Sequence, residues 1–586
     1  MTFSQDLSID TRYSLQAPCG LPSPLRSSLS SHTRSSSTPP STRLSTAQHS
    51  EDHDEYREPT SLDDIEEPDT LMSCFGTLSI SSLPPISPKG VNASGPIITR
   101  FPKPPPPRPS SILGTREEQR KIYLGPKLSD RATGGPDAGP LIDRFSCLFQ
   151  DQYDCVSNPK GIVSLGVAEN FLMQEECLEL ISTALKDNFT PLDLSYGDSL
   201  WGSRRINRAL AGLYNDYFDP AEEVKPEQII TGVGCSAVLD QLFYTLMDEG
   251  EGILLAAPYY TGFDRDLIGR GRVRLIPVHV PIGEAAFGPE SLKMFEEKLE
   301  EVEKEGIRIR AVIVCNPQNP LGRTYPRSTL LAYAKFCEEK DLHLVSDEIY
   351  ALSIYDNEGK FNYISYKQSE ADRLKAHLFE LNSDFPQADP FTSMLSLNVE
   401  KELGIEFDKA RLHVVYGMSK DFCSNGLRVG SLISQHNPLL LRAMANTSML
   451  MKISSPADVI WSTLLLDSKR LKSFINTNKL KLTESHKFTR NWFIERGIEV
   501  SNSNAGNFIW VNLGKKLKFE NSIIEKKIFQ KLLDGGVYIA PGSAYHYHIA
   551  GWFRVTFTVP RGNLIVGLGR IERLLNLRPL SELKFE

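Results

Sequence analysis

From about Leu141 onward, short runs rich in β-branched residues alternate with longer amphipathic stretches, and this alternation constrains the fold more than any other feature of the chain. Adjacent parallel strands need a crossover between them, and the usual crossover is a helix. The candidate strands are Gln228–Thr231, Gly252–Ala257, Arg272–Pro277, Ala311–Cys315, Leu342–Ser346 and Leu412–Tyr416. Between the fourth and fifth, Leu330, Leu331, Tyr333, Ala334 and Cys337 recur at spacings that form one helical face over Arg327–Lys340. The pattern predicts an α/β core. No internal repeat is visible, and residues 356–410 read as a polar insertion carrying some helix.

Ahead of this core the texture differs. The first 50 residues contain 14 Ser, and they are followed by the mostly acidic run Glu51–Glu58 and a proline run over Lys103–Pro109. Such composition buries too little apolar surface to offset ordering entropy, so residues 1 to about 130 are expected to be a disordered tail. Lys103 and Arg108 flank the prolines, which also suits a polyproline segment docking in an aromatic groove of a partner.

The chain has 586 residues, 40% of them hydrophobic and 24% charged, enough for two or three domains. A net charge of −8 at pH 7 argues against nucleic acid as a ligand. The nine cysteines are scattered, with no Cys-x-x-Cys pair, which argues against zinc and disulfide frameworks and suits a reducing compartment. No window approaches the length of a membrane helix, and no secretory apolar segment follows Met1. Thr11–Ser50 has the Arg- and Ser-rich, acid-free composition of a transit peptide but no apolar face at helical spacing, so the cytoplasm is the expected location rather than the mitochondrion.

Ligands of open parallel sheets bind beyond the carboxyl ends of the strands. Here those ends carry unusual residues. Asp347-Glu-Ile-Tyr350 follows one strand, the turns Asn316-Pro and Asn319-Pro-Leu-Gly322 follow another, and Gly417-Met-Ser419-Lys420 follows a third, with Arg428 eight residues on. Near the C-terminus Arg554 sits inside the apolar strand Trp552–Phe557. Singly, each has an ordinary structural use: a helix cap, a turn, a solvated charge.

Together and in this order, the set resembles the fold type I pyridoxal-phosphate enzymes of the class I/II aminotransferase group. Gly166-Val-Ala-Glu169-Asn170, Ala257-Pro-Tyr-Tyr260 through Asp266, Asn504-Ala-Gly506, and Pro541–Ala544 with Gly551-Trp-Phe-Arg554 are similar to the 1-aminocyclopropane-1-carboxylate (ACC) synthases and their non-plant relatives. The resemblance covers about residues 140–580. It implies an α/β fold with a large domain, about 190–440, bearing a mixed, mostly parallel sheet of seven-stranded type. A smaller α+β domain would comprise 441–586 joined by an N-terminal arm, 140–190, and would close on substrate.

The resemblance also implies residue roles. Lys420 would hold pyridoxal 5′-phosphate as an aldimine and then act as general acid/base at the substrate α-carbon. Asp347 would pair with the pyridine nitrogen, Tyr350 and Asn319 with the phenolic oxygen, and Tyr260 would stack on the ring. Gly234 and Cys235, opening a helix over Ala237–Met247, would receive the phosphate with Arg428 and Ser419. Relatives often carry a hydroxyl three residues before the lysine, where this chain has Gly417. Arg554 would clamp the α-carboxylate of an amino-acid substrate, and Glu169 would lie near the substrate or serve as a helix-start carboxylate. Tyr196 would reach the neighbouring subunit's phosphate, which makes the active unit a homodimer. No metal is implied.

These residues do not choose the reaction. Transamination is the first expectation. A carbon-sulfur lyase or ACC synthase-like activity is the alternative, favoured by Glu169 and the Trp-Phe-Arg ending and compatible with fungal secondary metabolism. The third is a catalytically silent scaffold, against which the intact Lys420, Asp347, Tyr350, Arg428 and Arg554 count.

Overall fold

The alternation of apolar runs becomes, in the computed structural model, a sheet in which successive residues feed opposite cores. The structure describes Ser129 and residues 148–280, 283–355 and 389–579. The tail expected over residues 1–130, its proline run, and residues 356–388 of the insertion lie outside the described residues, Ser129 excepted. The described residues all belong to one compact unit, Arg100–Glu586.

After a short first strand, β1 (Val163–Ser164), come β2 (Ile229–Gly232), β3 (Gly252–Ala257), β4 (Arg274–His279), β5 (Ile309–Cys315), β6 (His343–Asp347), β7 (Leu412–Gly417) and β8 (Gly430–Ile433). The last seven form one sheet in the order β2-β8-β7-β6-β5-β3-β4. β8 runs antiparallel to both neighbours, and β7, β6, β5, β3 and β4 run parallel. The sheet is thus mixed and mostly parallel, as the resemblance implied.

Period-two alternation decides which residue goes where. Val312 and Val314 of β5 pack into one core with helices Arg204–Tyr217 and Ser455–Leu466. Ala311 and Ile313 pack into the other with helices Cys235–Leu246 and Gly262–Gly271. Burying both faces explains why these strands read as unbroken apolar runs.

Beyond shifts of one residue, three strands depart from the sequence reading, and β5 begins two residues early, at Ile309. β4 begins two residues late because the preceding helix closes through Arg272 in the left-handed region (φ 52°). β8, four residues containing Gly430 and Ser431, is too short and polar to stand out as a strand. Of the insertion, residues 389–410 carry the helix Val399–Leu403, capped by Asn398 and ended by Gly404 at φ 67°.

A second core forms around β9 (Glu499–Val500), β10 (Phe508–Asn512), β11 (Val537–Tyr538), β12 (Ala540–Pro541) and β13 (Trp552–Thr556). Four of these make an antiparallel sheet in the order β12-β13-β10-β9, while β1 pairs parallel with β11. The 27-residue helix Ser468–Ile494 joins the two cores: Leu471, Phe474 and Ile475 enter the first, Leu482 and Phe493 the second. The change of core therefore falls well beyond residue 440, and helix Gln174–Asn188 packs with the large sheet rather than with the second core. No helix among the described residues is long and apolar enough to cross a membrane.

Candidate functional site

The loops at the carboxyl ends of β2, β3, β5, β6 and β7 converge with β13 around a cavity of about 310 Å³. Cys235, Tyr260, Asn319, Asp347, Tyr350, Ser419, Lys420, Arg428 and Arg554 all line it. Residues scattered over more than 300 positions are thus brought together, as the order of motifs led us to expect.

Lys420 leaves the end of β7, and its Nζ donates to the Ala168 carbonyl at 2.6 Å. Burial, and then the Arg554 charge, draw its amine down to about 8. Asp347 closes β6 and is 5% exposed; its Oδ1 accepts the Ile349 N–H at 3.3 Å. Burial pushes this carboxyl up to about 7, with Asp266 adding to the rise and Lys420 opposing it. The cavity therefore holds a buried acid and a buried base whose ordinary charges are both disfavoured, the condition a bound, complementary group relieves.

Arg554 points in from β13, with Nη1 on Asn319 Oδ1 (2.8 Å) and Nη2 on the Gly166 carbonyl (2.6 Å). Its Nε is buried without a hydrogen-bond partner. The guanidinium lies 4.7 Å from the Phe508 ring centroid and 4.9 Å from that of Tyr545, within cation–π range of both. Tyr350 packs edge-on against Phe508, and burial raises its phenol well above the ordinary value. Tyr260 is pushed up to about 12 by burial and Asp266. Its loop is pinned because Tyr259 donates to Asp264 Oδ1 at 2.9 Å, and His546 both stacks on Tyr259 and reaches Asp264 Oδ2 at 2.7 Å.

At the other end, Gly234 (φ 90°) caps helix Cys235–Leu246, whose first N–H groups have no acceptor within the helix. Arg428, itself left-handed at φ 54°, donates to the carbonyls of Asn425 (3.0 Å) and Val233 (3.2 Å). Its guanidinium occupies the space of a Cβ at 234, so glycine is required there for shape as well as for φ. A carboxylate at one end, an amine between, and a helix start with a guanidinium at the other suit a flat group that carries a protonatable nitrogen, a carbonyl and an anion.

Three expected residues are not among those lining this cavity: Gly234, which stands behind Arg428 at the helix start, Glu169 and Tyr196. Glu169 lines an adjoining groove, and its charge nonetheless favours the charged form of Lys420. Tyr196 is 73% exposed in the loop after Pro191–Leu194. The sequence reading passed over others. Asp266 lines the cavity 7% exposed, one oxygen bound to Arg265 and Oδ2 without a partner. Asn425 lines both cavity and groove. Asp421, Glu348 and Glu525 are buried carboxylates that hold the loops from behind. Their signal was an acid within an apolar context, which one sequence does not separate from a solvated charge. Among the described residues no cluster of three or more His, Cys, Asp or Glu is placed to hold a metal ion.

The family described as "Aminotransferase class I and II" matches residues 160–571. The chain is 32% identical over 418 residues to the "Probable aminotransferase aclI" of Aspergillus oryzae, a match spanning 70% of this chain and 90% of that protein. It is 30% identical over 422 residues to "1-aminocyclopropane-1-carboxylate synthase 6" of Oryza sativa subsp. japonica, covering 70% and 71%. An aspartate aminotransferase structure from Thermus thermophilus, with maleate, superposes with a TM-score of 0.56 at 19% identity, covering 77% of this chain and 100% of that one. The fold is the fold type I aminotransferase fold, with a site built from strand ends. The chain belongs to the aminotransferase class I and II family, and it is an enzyme of that family.

Proposed function

We propose that the protein is a pyridoxal 5′-phosphate-dependent aminotransferase acting on an amino acid. The observation that carries this reading is that Lys420 and the buried Asp347 line one cavity with Arg428 and Arg554. Bound there, pyridoxal phosphate supplies an electron sink for negative charge developing at the substrate's α-carbon.

The chain's own residues would do the rest. Lys420 Nζ holds the cofactor and, when freed, moves a proton at the α-carbon; an amine drawn down to about 8 is poised for this near neutral pH. Asp347 keeps the ring nitrogen protonated. Tyr350 and Asn319 hold the ring oxygen, and Tyr260 covers the ring face. Arg428, Ser419 and the helix start at Gly234–Cys235 hold the phosphate. Arg554 fixes the α-carboxylate, exchanging its bonds to Asn319 and Gly166 for a bidentate pair. The exposed Leu192, Leu194, Tyr196 and Trp201 support a homodimer in which Tyr196 serves the neighbouring site.

A second reading is a carbon-sulfur lyase or ACC synthase-like reaction. It draws support from Glu169, whose charge reaches Lys420 from the adjoining groove.

The visible spectrum of the full chain tests both, recorded with a panel of amino acids and with S-adenosylmethionine, beside Lys420→Ala. The expected result is a yellow band absent from the variant and bleached by an amino acid with release of a keto acid. An unchanged band with ammonia, thiol or cyclopropane product favours the second reading. A chain that takes up no added pyridoxal phosphate overturns both.

A further inference from the structure

The groove beside the cofactor-sized cavity, about 380 Å³ and open to solvent, runs between helix Gln174–Asn188 and the chain just past Lys420. Two thiols meet in it. Cys177, in the first turns of the helix, and Cys423, three residues after Lys420, both line it, and each shifts the other's titration. Cys177 Sγ also lies 3.6 Å from the Phe422 carbonyl. Cys423 Sγ lies 4.0 Å from Asn478 Oδ1.

Three further observations set this pair apart from the chain's other described cysteines. Cys423 is held at φ 56°, a left-handed conformation that favours glycine, so its side chain is kept at a backbone cost. Neither thiol enters the chemistry proposed above, whereas Cys235 and Cys315 line the cofactor cavity and Cys337 is sealed in the core. The two thiols are also unlike in acidity. The neighbouring Cys423 holds Cys177 below its ordinary value, with Lys481 pulling the same way against burial and Glu176. Burial holds Cys423 well above it. That contrast makes Cys177 the readier nucleophile and Cys423 the resolving thiol.

We propose that Cys177 and Cys423 form a redox-modification site, closed to a disulfide by a hydroperoxide. The Cys177 thiolate attacks the outer peroxide oxygen, forming a sulfenic acid and releasing an alcohol, or water from hydrogen peroxide. The Cys423 sulfur then attacks the sulfenic sulfur, the S–S bond forms, and water leaves. Two thiols lose two electrons and two protons, and the peroxide takes them up. In a reducing compartment such a pair is a sensor rather than a staple.

The bond would act on the strap Gly166–Met173. That strap supplies the carbonyls of Gly166 to Arg554 and Ala168 to Lys420, and Met173 precedes the helix that carries Cys177. Oxidation ties this helix to the Lys420 loop and so fixes the strap across the site.

The test uses the reduced full chain, treated while folded with an equivalent of hydrogen peroxide, then denatured in N-ethylmaleimide and peptide-mapped. The expected result is a linked Cys177–Cys423 peptide pair, about two fewer maleimide adducts per chain and reversal by dithiothreitol. Cys177→Ser and Cys423→Ser each abolish the link, and Cys423→Ser leaves sulfenic acid at Cys177. Amide hydrogen exchange over residues 166–173 slows in the oxidised chain. Maleimide on both cysteines after oxidation, or oxidation falling on the exposed Cys155 instead, overturns the site. Unchanged exchange across the strap overturns its coupling to the active centre.

Discussion

The sulfur of Cys235 stands where a side chain at position 417 would go: a Cβ built on Gly417 falls 2.8 Å from Cys235 Sγ and 2.7 Å from the Val429 carbonyl oxygen. A hydroxyl-bearing side chain at position 417 is therefore excluded here by packing. We expect Gly417→Ser to destabilise the fold by about 1–3 kcal/mol through overpacking. Cys235→Ala should recover part of that loss, since the Val429 carbonyl remains. A double-mutant cycle by urea denaturation checks it, and purely additive effects would show that the two positions do not compete.

Lys420 is an effective nucleophile only as the neutral amine, and its amine is drawn down to about 8 by burial first and the Arg554 charge second. The rate at which cofactor-free enzyme takes up pyridoxal phosphate should rise with pH and level off above about 8. In Arg554→Met one positive charge is gone, so the midpoint moves to higher pH. Stopped-flow absorbance reads both curves, and a midpoint indifferent to Arg554 contradicts the electrostatic account.

Asp347 carries a stability signature of the opposite kind to a salt-bridged acid. Its folded value, about 7 against an ordinary 3.8, is raised by burial, so its contribution to the cofactor-free fold is fully present below about 4. That contribution is lost as pH rises through 7. Asp347→Asn should therefore make the cofactor-free chain more stable than wild type at pH 8 by on the order of 1–3 kcal/mol, and nearly equal at pH 4. The same variant should bind cofactor far more weakly. Urea midpoints at the two pH values decide it, and a variant less stable at pH 8 refutes the burial argument.

Legibility in the sequence followed what each residue is surrounded by. β3 was readable to the residue and helix Arg327–Glu339 to within one, because both carry their periodicity in apolar side chains. The site was readable where unusual residues end a strand, as with Asp347, Asn319 and Lys420. It was not readable where a polar group serves the interior. In helix Ser522–Asp534, Ile523 and Ile524 are exposed while Glu525 is fully buried. Glu525 accepts the N–H groups of Ser543 at 3.2 Å and Gly551 at 2.6 Å, which sets the approach to β13 and Arg554. Hydrophobic patterning inverts at such a helix. β8 and the paired Cys177 and Cys423 escaped for a related reason: their neighbours come from distant parts of the chain.

Asp421, adjoining Lys420, is the residue of this hidden kind whose removal we expect to matter most. Its carboxylate accepts from the Leu352 N–H at 2.8 Å, Ser353 Oγ at 2.5 Å and the Tyr416 hydroxyl at 2.8 Å, while its carbonyl accepts Asn478 Nδ2 at 3.0 Å. Burial raises the carboxyl to about 6 despite these donors, so near neutral pH it is an ionised acceptor held by the loop after β6 and by β7. Asp421→Asn keeps the shape but turns an amide N–H₂ toward donors, leaving a buried polar group unsatisfied at about 1–3 kcal/mol. Ser353→Ala, which removes one donor and leaves the carboxylate two, should cost about 1 kcal/mol. Because Arg554 is untouched, Asp421→Asn should lower kcat with little change in KM, the pattern of a misplaced Lys420 rather than lost substrate binding. Denaturation curves and steady-state kinetics of the two variants read these effects, and an Asp421→Asn enzyme with wild-type stability and kcat would show that the lysine is positioned by other means.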